Sequence, residues 1–214
     1  MENKFLQLLT QRYGQLSKLE AEIEIASQFI INSYKNGGKL LICGNGGSAS
    51  DSDHLVGELM KSFELKRPLE NELKKKLEKI SNERGRFLSD NLQQGLPAIS
   101  LVAHTSLNTA VTNDICSDVI FAQQVIGYGN QNDVLIGITT SGNSQNVIDA
   151  LIVARAKGLK TIGFTGESGG KMKEFCDILI NVPEKRTAFV QELHLPVFHT
   201  ICLIVEHHFF GHNS

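Results

Sequence analysis

Four hydroxyl side chains fall within six residues at Thr139-Thr140-Ser141-Gly142-Asn143-Ser144, between an apolar run and a segment of helical spacing. Hydroxyls and backbone N–H groups at a helix start suit a dianionic phosphate, because each gives a neutral hydrogen bond in the positive field of the helix end. Ordinary N-capping by Ser141 or Ser144 accounts for one hydroxyl and leaves the others unexplained. A second turn, Gly44-Asn45-Gly46-Gly47-Ser48-Ala49-Ser50, also joins an apolar run to a helix start. Its glycines let the backbone approach an anion or sugar hydroxyls. It lacks both the GxGxxG spacing and the Walker lysine, so neither a dinucleotide nor a nucleoside triphosphate is indicated.

His54 and Glu58 follow the glycine turn four residues apart, so they share one helix face and could bind a metal, move protons or form a surface ion pair. Gln191, Glu192, His194 and His199 are set in an otherwise apolar C-terminal segment, where buried polar groups need partners. A helical wheel puts Glu192 nearly in line with His199 and Gln191 further round, so spacing does not decide which accompanies His199. Pro196 removes a helix hydrogen bond and predicts a kink. His207, His208 and His212 are expected to be exposed at a frayed end.

These residues need a scaffold of strands and helices. Short apolar runs at 39–43, 97–102, 133–138, 160–164 and 177–181 are separated mostly by segments of helical period. Continuous runs such as LLIC and VLIGI mark strands covered on both faces, and the alternation predicts an α/β fold with a doubly wound five-stranded parallel sheet flanked by helices. Residues 4–35 read as one long amphipathic helix and 187–210 as a second, apolar one. Residues 65–92, rich in Lys, Glu, Arg and Asn, read as an inserted amphipathic helix whose apolar stripe packs on the domain or on a neighbouring subunit.

With 214 residues, the chain is expected to form a single domain over 1–214. Its 41% hydrophobic and 21% charged residues exclude a disordered or fibrous chain. A net charge of -2 gives no global basic field, so no nucleic-acid partner is expected. No uninterrupted apolar run approaches the ~18 residues of a membrane span and the start does not resemble a signal peptide, so no membrane association and a cytoplasmic location are expected. Cys43, Cys116, Cys176 and Cys202 form no CxxC pair and are expected to be reduced, mostly buried thiols.

In order along the chain, GNGGSASDSDHLVGEL, TNDICSD, ITTSGNSQNVIDAL, FTGESGGKM and QELHLPVFHTICLIVE resemble the phosphoheptose isomerases of the sugar isomerase (SIS) domain superfamily. The likeness covers most of the chain outside 65–92. It implies conversion of sedoheptulose 7-phosphate to D-glycero-D-manno-heptose 7-phosphate through an enediol, the first step of bacterial heptose synthesis for lipopolysaccharide and other surface glycans. It implies one Zn²⁺ per subunit held by His54, Glu58, Gln191 and His199, with Glu58 and His199 as the catalytic acid/base pair. Substrate contacts map onto Asn45, Gly46, Gly47, Glu58, Asn113, Asp114, Thr139, Thr140, Ser141, Ser144 and Gln191, and Ser48 of the same glycine turn joins that set. The resemblance further implies a homotetramer with sites at subunit interfaces, so that Glu58 and His199 need not meet within one chain.

The sequence departs from the family pattern at three places: the 65–92 insertion, Phe189 where a basic residue is expected, and Pro196. Two other readings are a non-catalytic SIS module that binds a replication initiator or senses sugar phosphates, and an isomerase of a different sugar phosphate. The presence of all four implied zinc ligands favours the heptose enzyme.

Overall fold

The computed structural model describes residues 3–211, so His212 lies outside the described residues. Five strands, β1 (Leu40–Gly44), β2 (Ala98–Ser100), β3 (Val134–Ile138), β4 (Lys160–Thr165) and β5 (Ile178–Asn181), pair in parallel in the order β2-β1-β3-β4-β5. The helices are α1 (Asn3–Arg12), α2 (Glu20–Lys35), α3 (Gly47–Met60), α4 (Asn71–Ile80), α5 (Asn82–Asn91), α6 (Thr105–Asp114), α7 (Ile120–Tyr128), α8 (Gln145–Ala156) and α9 (Thr187–Phe210).

Strand side chains alternate between the two faces. Leu40 and Ile42 of β1 join Val134, Ile136, Ile162 and Phe164 under a layer made by α1, α2, α3 and α9, with Ile23, Ile30, Leu55, Val197 and Ile201 buried there. Leu41, Cys43 and Leu135 point the other way, onto Val125 of α7 and Val147 and Leu151 of α8. Both faces are thus covered, which is why the strand sequences run apolar without alternation. The chain leaves β1 toward one face as α3 and leaves the adjacent β3 toward the other as α8. That divergence opens a crevice at the C-terminal ends of the two strands, where open parallel sheets bind ligands.

The structure corrects several expectations. Residues 4–35 are not one helix: α1 ends at Arg12, Tyr13 takes φ -131 and ψ 70, and Gly14–Leu19 is a 3-10 segment before α2. The apolar spacing survives because Leu16 and Leu19 still point inward. The 65–92 insertion is a hairpin of α4 and α5, not a single helix, broken at extended Ser81, with Gly85 packed against the Leu77 carbonyl. Helix α9 runs without interruption from Thr187 to Phe210 through Pro196, and the helix α3 begins inside the glycine turn, at Gly47.

Among the described residues α9 is the one helix long and apolar enough to cross a membrane, with a mean hydropathy of 1.5; isolated polar residues had hidden this from a count of unbroken runs. Much of it is occupied otherwise, since 56% of its most apolar window is buried in the protein, against the sheet and α2. His207 and His208 are half-buried, and the His207 ring lies 4.7 Å from that of Phe5. The four cysteines are free: Cys43 and Cys202 are buried and Cys176 is half-buried, but Cys116 is exposed and its sulfur accepts from the Asp118 N–H.

Candidate active site

The crevice holds a cavity of about 350 Å³. Asn45, Gly46, Gly47 and Ser48 form one wall, Thr139, Thr140, Ser141 and Ser144 the opposite wall, and Thr187 and Gln191 of α9 close it. The hydroxyls hold one another: Thr139 Oγ1 lies 2.9 Å from Ser144 Oγ and 3.5 Å from Ser141 Oγ. Ser144 occupies the N-cap of α8 without capping it through its side chain, so capping does not explain the cluster. Asn45 and Asn146 exchange reciprocal amide hydrogen bonds of 2.9 and 3.0 Å, joining the glycine turn to the first turn of α8. Gly47 lacks a Cβ where one would collide with the Gln191 amide. Two helix N-termini and a fixed set of neutral donors form a cradle whose chemistry suits a phosphate.

A second group of residues lies further along the same helices. Both α3 and α9 start at the C-terminal edge of the sheet and pack side by side. Gly47 meets Gln191 at the cradle, and two turns further on His54 meets His199, their Nε2 atoms 3.3 Å apart. Glu58 Oε1 is 3.1 Å from His54 Nε2, and one ligand atom from each of His54, Glu58 and His199 lies within 4.8 Å of the others. Two imidazole nitrogens facing each other beside a carboxylate oxygen form a donor set that suits Zn²⁺. The two helices thus bring Glu58 and His199 together within one chain.

Rings of Phe63 and Phe198 stand 5.3 and 5.0 Å from that of His199. Burial lowers the His199 pKa, the neighbouring His54 lowers it further, and Glu58 opposes both, a net shift that favours the neutral imidazole. Lys61 Nζ donates to Glu58 Oε2 at 3.3 Å. His199 also lines a separate cavity of about 340 Å³ with Glu192, Arg12, Tyr13 and Phe63, so the ambiguity between Gln191 and Glu192 resolves spatially: Glu192 shares the His199 cavity and Gln191 faces the cradle.

Asn113 and Asp114, the last residues of α6, are exposed, hydrogen-bond each other at 2.8 Å and do not line the cradle. His194 is fully buried, with its Nε2 3.3 Å from the Thr165 carbonyl, and burial pushes its pKa down to about 4 despite that bond; it serves the core under the hydroxyl turn. The sequence reading missed Asn146 and Thr187. For Asn146 the one available signal is a polar residue in the first turn after the hydroxyl run. Phe189 has the Arg186 guanidinium 4.6 Å over its ring, so a cation stands beside the position where the family pattern has one.

The SIS domain family matches residues 4–89 and 92–166. The chain is 37% identical over 221 aligned residues to a phosphoheptose isomerase of Burkholderia pseudomallei (strain 1710b), covering 99% of each chain. It is 42% identical to a phosphoheptose isomerase of Aliarcobacter butzleri (strain RM4018), over 89% of this chain and 87% of that one. A solved structure of phosphoheptose isomerase from Neisseria gonorrhoeae superimposes with a TM-score of 0.72 at 32% identity, over 95% of this chain and 96% of the other.

Proposed function

Because the chain belongs to the phosphoheptose isomerases of the SIS domain family, we propose that its cradle and its His54–Glu58–His199 group act as one site that interconverts sedoheptulose 7-phosphate and D-glycero-D-manno-heptose 7-phosphate. The observation that carries this reading is that α3 and α9 place phosphate-binding groups and acid/base groups at two levels of the same pair of helices. Seven or eight residues of helix separate those levels, roughly 10–12 Å. A seven-carbon chain with bonds of ~1.5 Å spans about that length from its phosphate to C1 and C2, whereas a triose phosphate does not.

Thr139, Thr140, Ser141 and Ser144 hold the phosphate, with Asn45, Gly46, Gly47 and Ser48 opposite, which fixes the sugar chain for proton transfer. Glu58 takes a proton from C1 of the ketose and returns it to C2. His199 gives a proton to O2 and takes one from O1, so the enediol forms and collapses with no net proton change. The donor set of His54, Glu58 and His199 fits Zn²⁺, and Gln191, which faces the cradle in this chain, is the fourth donor that the family resemblance implies; when bound, the metal would supply Lewis-acid polarisation of the carbonyl. Asn113 and Asp114 contact substrate in this reading, as part of the assembled site.

The decisive experiment incubates zinc-loaded protein with sedoheptulose 7-phosphate and follows the aldose phosphate by NMR. We expect turnover that a chelator suppresses and added zinc restores. Absence of turnover by folded, zinc-loaded protein rejects the substrate, and absence of any sugar-phosphate binding favours the non-catalytic module. The same reading places the enzyme in the cytoplasm, in heptose synthesis for surface glycans.

It also makes the protein a homotetramer. Leu8 on α1 and Leu195 on α9 are 49% and 38% exposed and border the His199 cavity, so apolar surface is left for another copy to cover. Size-exclusion chromatography with light scattering should give four chains, and a monomer at micromolar concentration contradicts it.

A further inference from the structure

Arg67 and Glu206 form an ion pair with both side chains at 0% exposure, Arg67 Nη2 standing 2.8 Å from Glu206 Oε1. A desolvated pair of this kind is costly unless its remaining donors and acceptors are satisfied, and here they are satisfied by particular backbone groups. Glu206 accepts the N–H groups of Phe63, Glu64 and Leu65 at 2.8, 2.9 and 3.1 Å, together with Arg67 Nε at 2.9 Å. Arg67 donates onward to the carbonyl oxygens of Leu59 and Glu58 at 2.7 and 3.2 Å. Those carbonyls belong to the last turn of α3, where helix carbonyls have no intrahelical partner.

The connections run between the two helices that carry the acid/base groups. Glu206 is seven residues beyond His199 on α9, and Arg67 caps the turn of α3 that contains Glu58. The segment held by Glu206 carries Phe63, whose ring is 5.3 Å from that of His199. One buried charge pair therefore fixes the end of α3 against α9 and seats the aromatic wall on the imidazole.

We propose that Arg67 and Glu206 are positioning residues for proton transfer, setting the separation of Glu58 and His199 through the α3 terminus and the Phe63 segment. This rests on the reading of Glu58 and His199 as the reacting pair. A lysine at position 67 keeps the charge beside Glu206 but lacks the planar fork that reaches both carbonyls. A leucine at position 63 leaves the ion pair intact and removes the ring from His199.

The test measures kcat, KM and zinc affinity for unmodified protein, Arg67→Lys and Phe63→Leu, with melting temperature as the control for folding. Arg67→Lys should lower kcat about 30-fold with KM within about 3-fold, because the cradle is two turns away, and should weaken zinc binding ~10-fold, the scale of outer-shell losses at metal sites. Phe63→Leu should lower kcat about 5-fold with KM unchanged. Folded variants that both keep kcat and zinc affinity within about 2-fold of the unmodified protein overturn the proposal. If Arg67→Lys does not fold, Phe63→Leu alone decides, an unchanged kcat counting against it. If the unmodified protein does not turn over the sugar phosphate, the substrate reading fails and the zinc affinities still decide whether Arg67 positions the group.

Discussion

Glu58→Gln should lower kcat by about 10³-fold or more while leaving the melting temperature almost unchanged. The amide is the same size as the carboxylate and still fits between His54 and Lys61, whose contacts with Glu58 are 3.1 and 3.3 Å. Losing two hydrogen bonds at a site near the surface costs ~1 kcal/mol of stability. The kinetic loss is larger because an amide cannot accept a proton from carbon, and a positioned general base alone contributes ~10²–10⁴-fold. Weaker donation to the metal adds to it. Initial rates by NMR together with a thermal melt check both halves; a variant that retains more than a tenth of the activity removes Glu58 from the role of base.

Gly142→Ala should damage stability and phosphate binding together. Gly142 has φ +68, a left-handed conformation that costs an alanine ~1–2 kcal/mol. A Cβ there would also run into the carbonyl of Gly169 and the Cα of Gly170, both backbone, which cannot rotate away as a side chain would. With an overpacking cost of ~1–3 kcal/mol added, the melting temperature should fall by roughly 5–15 °C, at ~2–4 °C per kcal/mol for a chain of this size. The displaced loop carries Ser141, so KM for the sugar phosphate should rise at least ~10-fold. Ser141→Ala removes one donor to the phosphate, together with the hydroxyl that accepts the Asn143 N–H at 3.2 Å, and should raise KM only several-fold, which separates loss of one donor from loss of the cradle. Equal effects of the two substitutions would contradict a preformed cradle.

The parallel sheet was legible because LLIC and VLIGI are covered on both faces, and a strand covered on both faces has no polar positions. The hydroxyl cradle was legible for a related reason: local sequence holds all of one wall, Thr139 to Ser144. The acid/base group was half legible. His54 and Glu58 share a helix face by spacing alone, but their meeting with His199 depends on α3 lying beside α9, a contact across 145 residues that no local pattern encodes. His199 was already a candidate as a polar residue in an apolar helix, and resemblance to the isomerases assigned it to the group with His54 and Glu58.

The errors have the same physical origin. A 3-10 segment keeps Leu16 and Leu19 inward, so the break after Arg12 leaves the apolar period nearly intact. The turn at Ser81 lies in a segment that buries few side chains and so leaves little apolar pattern to interrupt. Arg67 belongs to the 65–92 segment read as charged, and nothing local singles out Glu206; the fold removes both from water.

Helix α9 contains Gln191 at the cradle, His199 at the acid/base group and Glu206 in the buried pair, while Val197, Ile201 and Val205 fill the core. Each residue of a helix is turned by ~100° from the one before. Deleting one residue between Gln191 and Glu206 would therefore rotate everything downstream off its target, exposing core side chains and burying polar ones at the same stroke. Over that stretch the helix can vary by exchange of side chains but not by a change of length, whereas the α4–α5 hairpin, with no buried residue in α4 and only Gly85 and Ser89 buried in α5, has no such ruler to keep. The freedom of this chain to lengthen or shorten thus lies by geometry in places like the hairpin, and the last helix is fixed in its count of residues between Gln191 and Glu206.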